Sequence, residues 1–232
     1  MVGGPVVPVN LSREAWRRVL PFLLFMALLA LRAEVPEDGR WGVDPRWLYG
    51  LTLPVVGGLM LWWWREYGEL HRQNLPSARE WLLSLAVGLA VFGAWIHLDA
   101  PWMQVGEPAA RFVPLDAQGQ PIWPLIAMRW LGAALVVPVM EELFWRSFLM
   151  RWVERPVFQA VDPRGVGLRA VVLSTFAFVL VHPLWLAATV AGLAYALLYR
   201  HTGKLWTAVT AHAVTNGVLG LWVVAGGHWA FW

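Results

Sequence analysis

The chain has 232 residues, of which 59% are hydrophobic and only 14% are charged; its net charge is +3 and it contains no cysteine. About a quarter of the residues of a soluble domain are charged, so this composition is too apolar for an ordinary soluble domain and excludes a disordered chain. Without cysteine, a disulfide framework, a thiol protease and a cysteine-based metal site are excluded as well. The 18 Lys and Arg residues form no basic stripe, so we expect no nucleic-acid partner.

The charges lie between long apolar runs, and these runs predict membrane-spanning helices. A segment of about 17 to 25 mostly apolar residues is long enough to cross a bilayer. In chain order we predict about eight spans, at residues 16–33, 47–64, 81–98, 124–150, 168–182, 183–199, 204–215 and 217–226. The last two are short, and a single longer helix broken near Asn216 and Gly217 is the alternative. The predicted fold class is therefore an all-α, polytopic integral membrane helix bundle.

The spans leave room only for loops, so we predict one membrane domain over residues 1–232. Its first part, 1–123, holds three spans and an extracytoplasmic loop over 99–123, where four prolines disfavour helix. Its second part, 124–226, holds the polar residues that remain inside spans. Outside the spans, twelve Lys and Arg residues lie on the N-terminal side of the predicted membrane and four on the other side. For eight spans, this asymmetry predicts that both termini are cytoplasmic.

The fourth span carries the first group of polar residues that a membrane should not tolerate without a task. Glu141 and Glu142 are adjacent, and Arg146 follows Glu142 at the spacing of a helical ion pair. One cation for two carboxylates leaves Glu141 without a partner, which suits a general base. Two structural salt bridges are the alternative. Arg129 lies in the same span but outside this group.

Two further pairs of residues occur on later spans at helical spacing. Phe178 and His182 are four residues apart, so the ring and the imidazole share one face of the fifth span. His212 and Asn216 have the same spacing and offer two hydrogen-bond donors that could hold an oxyanion. Taken singly, each pair is more often structural than catalytic.

The depths of these residues link the three groups. At about 1.5 Å of rise per residue, Glu141, His182, His212 and Asn216 lie about 12–20 Å from the charged residue at the cytoplasmic end of each span. Independent structural residues have no reason to share a depth. We therefore expect Glu141, His182, His212 and Asn216 to form one site inside the membrane.

A carboxylate, a histidine and a His/Asn donor pair can together activate water, hold an oxyanion and protonate a leaving amine. Other protease chemistries lack their residues in this sequence. There is no His-Glu-x-x-His zinc motif, no Gly-x-Ser-x-Gly elbow and no aspartate within a predicted span. The sequence thus favours peptide hydrolysis by glutamate-activated water.

The three groups read Glu-Glu-x-x-x-Arg, Phe-x-x-x-His and His-x-x-x-Asn in chain order. They resemble the three motifs of the CAAX prenyl protease type 2 and bacteriocin-processing (CPBP, or Abi) intramembrane protease family. The resemblance covers residues from about 125 to 226, and it identifies 124–226 as a CPBP-like catalytic core. The N-terminal spans and the long loop resemble a bacterial subgroup of CAAX protease-related proteins associated with exosortase systems.

The resemblance implies a role for each matching residue. Glu141 would activate water together with His182, and His212 and Asn216 would line the oxyanion site. Glu142 and Arg146 would form a supporting pair. A further supporting residue, Phe178, would pack near the site.

The resemblance leaves the metal requirement open. We favour a mechanism with no metal and no other cofactor, because Glu142 already has a cation at helical spacing and asparagine is an unusual zinc ligand. A zinc-dependent version of the protease is the alternative, since two histidines and two glutamates could ligate zinc.

For the whole chain, the resemblance implies an intramembrane endopeptidase of a bacterial inner (plasma) membrane. Its partners would be the lipid bilayer and a membrane-associated protein or peptide substrate, and its site would open toward the cytoplasmic side. The sequence does not predict an oligomeric state. Two other functions stay open: a non-proteolytic membrane partner of the same family, as in bacteriocin immunity, and a proton-coupled transporter that uses Glu141 and Glu142.

Overall fold

The computed structural model describes residues 11–36, 40–106 and 112–232. These residues are almost entirely helical, and the prediction of an all-α fold is confirmed for them. Seven helices of 12 or more residues follow one another along this part of the chain. They are α1 (Arg13–Ala33), α2 (Pro45–Trp62), α3 (Ala78–His97), α4 (Trp123–Glu154), α5 (Leu168–Val179), α6 (Trp185–Thr202) and α7 (Leu205–Gly226).

The helix ends follow local sequence signals. Asp44 accepts a hydrogen bond at the start of α2, and Ser77 with Glu80 forms a reciprocal capping box at the start of α3. Helices α6 and α7 end where Gly203 and Gly227 adopt φ values of 70° and 67°, a backbone conformation that other residues rarely adopt. These signals fix where each helix enters and leaves the bundle.

Helix α4 is the longest helix, and two stretches of it are wound as π-helix, Gly132–Val136 and Leu143–Leu149. The first π stretch has a cause in the sequence. Pro138 has no N–H, so an α-helical hydrogen bond to the carbonyl four residues earlier cannot form there. The chain widens just before this proline, and the Val137 amide bonds the Gly132 carbonyl five residues back. The Glu141–Glu142 pair thus lies between two widened stretches.

Three helices are long and apolar enough to cross a membrane: α3, α4 and α7. Much of the apolar surface of the bundle faces outward, as lipid contact requires; Leu61, Leu82 and Leu180 are each about two-thirds exposed or more. The predicted spans 16–33, 47–64 and 183–199 form helices α1, α2 and α6, which do not meet the same length and hydropathy criterion. Helix α5 is apolar but only 12 residues long.

The two predicted spans at 204–215 and 217–226 are one continuous helix, α7. Asn216 and Gly217 do not interrupt it, because one glycine costs a helix only about 1 kcal/mol and tertiary packing offsets that cost. The alternative of a single longer helix is therefore confirmed. The described residues contain seven helices where about eight spans were predicted.

An odd number of helices places the two ends of the described chain at opposite ends of the bundle. Near the start of α1, Arg18 bonds Glu69 of the α2–α3 connection. At the other end, the Phe112 amide donates to the carbonyl of Trp232. We call the first the arginine-rich end (residues 11–18, 63–77, 155–167 and 203–204) and the second the loop end (34–36, 40–44, 98–106, 112–122 and 227–232). The prediction that both termini are cytoplasmic required an even number of spans, and the seven helices of the described residues do not confirm it.

The described part of the loop over 99–123 has little helix, as predicted: it contains one short turn, Pro101–Met103, and an isolated bridge between Leu115 and Pro121. Helices α3 and α7 pack closely behind the site. Their contact depends on Gly88, whose carbonyl lies 2.9 Å from the Thr215 hydroxyl; a side chain there would collide with the Ala211 carbonyl. This contact fixes the rotation of α7.

Candidate active site

Side chains of all three sequence motifs meet between α4, α5 and α7. The Glu142 carboxylate of α4 accepts a hydrogen bond of 2.9 Å from His212 Nδ1 of α7. Arg146 lies 3.2 Å from the other oxygen of Glu142 and stacks 4.7 Å above the Phe178 ring of α5. The structure therefore brings together residues that are 70 positions apart in the chain.

The supporting pair that the sequence predicted, Glu142 and Arg146, is fully buried. The two side chains lie close together, but not all of their polar atoms form hydrogen bonds. Arg146 Nε is within ion-pair distance of Glu142 Oε2, yet this oxygen has no aligned hydrogen bond from any described residue. Arg146 also donates to the Gly192 carbonyl of α6, at 3.3 Å. Helix α6, to which the sequence analysis gave no role, thus supports the motif arginine.

His212 is held on both sides. An ionised carboxylate only accepts hydrogen bonds. The hydrogen bond between His212 and Glu142 therefore places the imidazole proton on Nδ1 and the lone pair on Nε2. The Tyr195 ring stacks on the imidazole at 5.0 Å, and the Tyr195 hydroxyl donates to Thr215 one turn along α7. Sequence reasoning missed Tyr195, because an aromatic residue in a predicted span carries no signal that separates stacking from ordinary packing.

His182 lies just beyond the end of α5, before Pro183, where helical geometry is disfavoured. Its Nδ1 lies 2.8 Å from the Phe178 carbonyl, which can only accept, so Nδ1 carries the proton and Nε2 carries the lone pair. The ring packs 4.2 Å from the Phe178 ring and meets Trp95 of α3 edge to face. These three contacts hold the imidazole in one orientation.

Glu141 is 7% exposed, and its Oε2 is buried without a hydrogen-bond partner in the part of the chain that the structure describes. It is one helical step from Glu142, so it faces away from Arg146 and His212. Instead it lines a cavity together with His182 and Asn216. A carboxylate with unused acceptor capacity beside an imidazole lone pair can take a proton from water.

Asn216 reaches the same cavity from α7, and one N–H of its amide is already used. It donates to the Ala133 carbonyl at 2.9 Å. In the π stretch this carbonyl would take its bond from residue 138, but Pro138 has no N–H to give. Asn216 supplies the missing donor, and its second N–H stays available to the cavity. The sequence shows the proline and the asparagine but not that they compensate each other.

The cavity has a volume of about 540 Å³, in the range of small-molecule and peptide sites. It leads from Glu141, at its deep end, to the loop end of the bundle, where Arg32, Asp99 and Trp232 line it. If the arginine-rich end is cytoplasmic, as the charge count predicts, the cavity leads to the opposite side of the membrane. The predicted opening toward the cytoplasmic side is therefore not confirmed, because the expected depths gave no information on which end of the bundle is hollow.

The other predicted site residues, His212, Glu142, Arg146 and Phe178, lie behind the cavity wall rather than on it. Within residues 11–36, 40–106 and 112–232, no cluster of three or more His, Cys, Asp or Glu side chains has the arrangement of a metal site. Two possible ligands, Glu142 and His212, are hydrogen-bonded to each other.

Comparison with known proteins agrees with the motif geometry. Residues 122–218 match the family model described as type II CAAX prenyl endopeptidase Rce1-like. No curated protein and no solved structure matches the chain. The matched segment holds every residue of the three motifs, from Glu141 to Asn216. Residues 122–218 of this chain are thus similar to the Rce1-like domain of type II CAAX prenyl endopeptidases.

Proposed function

We propose that this chain is an intramembrane endopeptidase in which Glu141 and His182 activate water. One observation supports this most directly: a partnerless carboxylate oxygen of Glu141 and the imidazole of His182, whose Nε2 is not used by its bond to Phe178, line the same cavity. Burying an acid without a partner inside a bilayer is costly and is typical of a working group. The Rce1-like match adds that the domain belongs to a protease family.

The proposed reaction uses water as the nucleophile. A water molecule held by Glu141 and His182 loses a proton to this pair as its oxygen attacks the scissile carbonyl carbon. The carbonyl oxygen becomes an oxyanion, and the free N–H of Asn216 donates to it. The proton then passes to the amide nitrogen, the C–N bond breaks, and a carboxylic acid and an amine are released.

We assign His212 a different part from the one that the resemblance implied. Asn216 lines the cavity and His212 does not, so Asn216 is the direct oxyanion donor. His212 is a positioning residue, because its bond to Glu142 holds α7 and α4 in register. Its Nε2 could donate to an oxyanion only if the Glu142–His212 pair carried one further proton.

Comparative proteomics of membrane fractions tests the proposal. Bacterial cells expressing the wild-type chain should contain cleaved membrane peptides that are absent with Glu141→Gln, which keeps the shape but removes the base. Glu154→Gln is the matched control, because Glu154 is exposed at the end of the same helix. Identical peptide profiles for the wild type and Glu141→Gln, at equal expression, would favour the non-proteolytic partner instead.

The finer parts of the proposal are the bacterial inner membrane as location, the lipid bilayer and a membrane-associated peptide or protein as partners, and the exosortase-associated subgroup. The metal-free mechanism has its own test. Loss of cleavage on chelation, with recovery on adding zinc, would show that the zinc-dependent alternative is correct.

A further inference from the structure

The cavity contains one charged residue that the proposed reaction does not use. Arg129 lies on α4, on the cavity wall between Glu141 and the loop end. Its guanidinium carbon lies 4.6 Å from the Tyr49 ring centroid and 5.7 Å from that of Phe112. Two aromatic faces thus hold the cation and leave the edges of its planar fork to other ligands.

Arg129 has no acidic partner among the described residues. Within 11–36, 40–106 and 112–232, its Nε is buried without a hydrogen bond, and no carboxylate lies within ion-pair distance of the side chain. The two other arginines of α4, which are buried, do have hydrogen-bond or ion-pair partners. Arg146 has Glu142, and Arg151 has the Ser147 carbonyl and hydroxyl.

The neighbouring charges do not neutralise Arg129. Arg32, whose Nε bonds the Pro45 carbonyl, also contacts the Phe112 ring, with its guanidinium carbon 5.4 Å from the ring centroid. Asp99 is the one acid on the outer part of the cavity lining, and it is exposed at the end of α3. Arg129 thus brings a positive charge to the wall of the cavity, whose deep end carries the Glu141 carboxylate.

A cation in a low-dielectric cavity is stabilised by an anion that the ligand brings. Arginine binds carboxylates through two parallel hydrogen bonds, and such charge-assisted bonds are about twice as strong as neutral ones. The aromatic rings on either side exclude water from the contact, which strengthens it further.

The spacing along α4 gives the position of that anion relative to the reacting bond. Arg129 and Glu141 are 12 residues apart. This corresponds to at most about 18 Å along the helix, and the π stretch between them shortens it slightly. An extended peptide covers about 3.3–3.6 Å per residue, so about five residues span the distance.

We propose that Arg129 binds a carboxylate of the peptide substrate about five residues from the scissile bond. This inference rests on the proposed function and deepens it, because it assigns a substrate class: peptides with a carboxylate at that distance, supplied by the free C-terminus or by an acidic side chain.

Binding and cleavage are measured separately, so the inference and the proposed function can fail independently. The probe is a library of randomised ten-residue peptides, prepared with a free C-terminal acid and as the C-terminal amide. Binding is measured by enrichment on nanodiscs that hold the full chain as Glu141→Gln, which binds without turnover. Cleavage is measured with the wild-type chain and mass spectrometry of the products.

We expect the Glu141→Gln protein to retain free-acid peptides at least about tenfold better than amides, unless the amide carries Asp or Glu about five residues from the cut. Adding Arg129→Met should remove this preference, and Arg129→Lys should keep part of it. Arg200→Met, at an exposed position on α6, is the matched control and should keep all of it. Thermal unfolding of each variant checks that the fold is intact.

Each outcome decides between the two ideas. Acid preference that Arg129→Met removes, with no cleavage by the wild type, supports the carboxylate site and rejects the protease. Cleavage with no preference for acid over amide, and none for internal Asp or Glu, rejects the carboxylate site and supports the protease. If phosphatidylglycerol copurifies with the wild type but not with Arg129→Met, and acids show no preference, the anion is a lipid phosphate and the inference is overturned.

Discussion

Two buried charge clusters lie next to each other along α4, and they differ in how completely their polar atoms are paired. The basal cluster lies at the arginine-rich end and consists of Arg18, Glu69, Ser147 and Arg151. The site cluster lies deeper and consists of Glu141, Glu142, Arg146, His182 and His212. Both lie in the membrane-facing bundle and both join α4 to other elements.

In the basal cluster every charged group has ligands. Arg18 forms a two-pronged contact with the Glu69 carboxylate, at 2.8 and 2.6 Å, and Ser147 donates to the same carboxylate. Arg151 bonds the Ser147 hydroxyl at 2.8 Å. Within the described residues, none of the side chains of this cluster has a buried polar atom without a partner.

The site cluster also combines glutamate with arginine, but it leaves several atoms without hydrogen bonds. These atoms are Glu141 Oε2, Glu142 Oε2 and Arg146 Nη1, judged against the described residues. Unpaired buried polar atoms cost stability, so they persist where a ligand or a reaction uses them. The difference separates a cluster that holds the helices together from one that acts on a substrate, and the predictions below test that separation.

The largest effect is expected for His182→Gln. Removing the imidazole lone pair should lower cleavage by about 10³-fold, within the range for general acid–base residues, with little change in the unfolding midpoint. His201→Gln, at an exposed position at the end of α6, is the matched control and should cleave normally. If His182→Gln unfolds as readily as a basal-cluster variant, the site cluster is structural and the contrast between the clusters disappears.

The second prediction concerns the basal cluster, where a substitution should change stability and leave cleavage unchanged. Glu69→Gln should lower the free energy of unfolding by about 3 kcal/mol, because it leaves the buried Arg18 without its carboxylate. Folded protein should still cleave at the wild-type rate. Glu66→Gln removes a more exposed ion pair, in which the Glu66 side chain is 47% exposed and its partner is Arg17. This substitution should lower the free energy of unfolding by less than about 1 kcal/mol. Equal losses for the two variants would mean that the basal cluster does not stabilise the bundle through its burial.

Asn216→Ala should affect both readouts. We expect cleavage to fall by about 10²-fold through loss of an oxyanion donor. Stability should fall by about 1–3 kcal/mol, because the Ala133 carbonyl loses the side-chain amide that donates to it. Asn74→Ala is the control, since its amide also donates to a backbone carbonyl, that of Gly68, but at the arginine-rich end. A loss of activity after Asn74→Ala as large as that after Asn216→Ala would contradict an oxyanion role.

The sequence predicted which residues form the site better than it predicted how the helices arrange them. Helical spacing and the scarcity of charge in apolar runs were sufficient to select Glu141, Glu142 and Arg146, because intramembrane charge is rare. The spacing could not show that Asn216 compensates for Pro138, since this depends on the π winding of α4 and on how α7 packs against it. It also could not show which end of the bundle is hollow, and it left open whether residues 204–226 form one helix or two.

The smallest predicted effect is a pH dependence that belongs to the basal cluster alone. Burial acts to raise the pKa of the Glu69 carboxyl, but the hydrogen bonds and the charge of Arg18 outweigh it, and the pKa lies below its ordinary value of 4.5. A carboxyl with a lowered pKa in the folded state contributes stability above its ordinary pKa, and loses it as the pH falls through the folded-state pKa. We therefore expect the stability difference between the wild type and Glu69→Gln to be constant from pH 7 to about pH 5.

Below about pH 4.5 the same difference should shrink, because Glu69 takes up a proton and comes to resemble the glutamine that replaces it. Thermal unfolding of both proteins in the same detergent, measured across pH 7 to 3, gives the curve. Glu66→Gln, measured alongside, should show a much smaller change, since solvent screens the pair that it removes. A difference between the wild type and Glu69→Gln that grows as the pH falls would mean that the carboxylate is not stabilised in the fold, and the basal cluster would then be no more saturated than the site cluster.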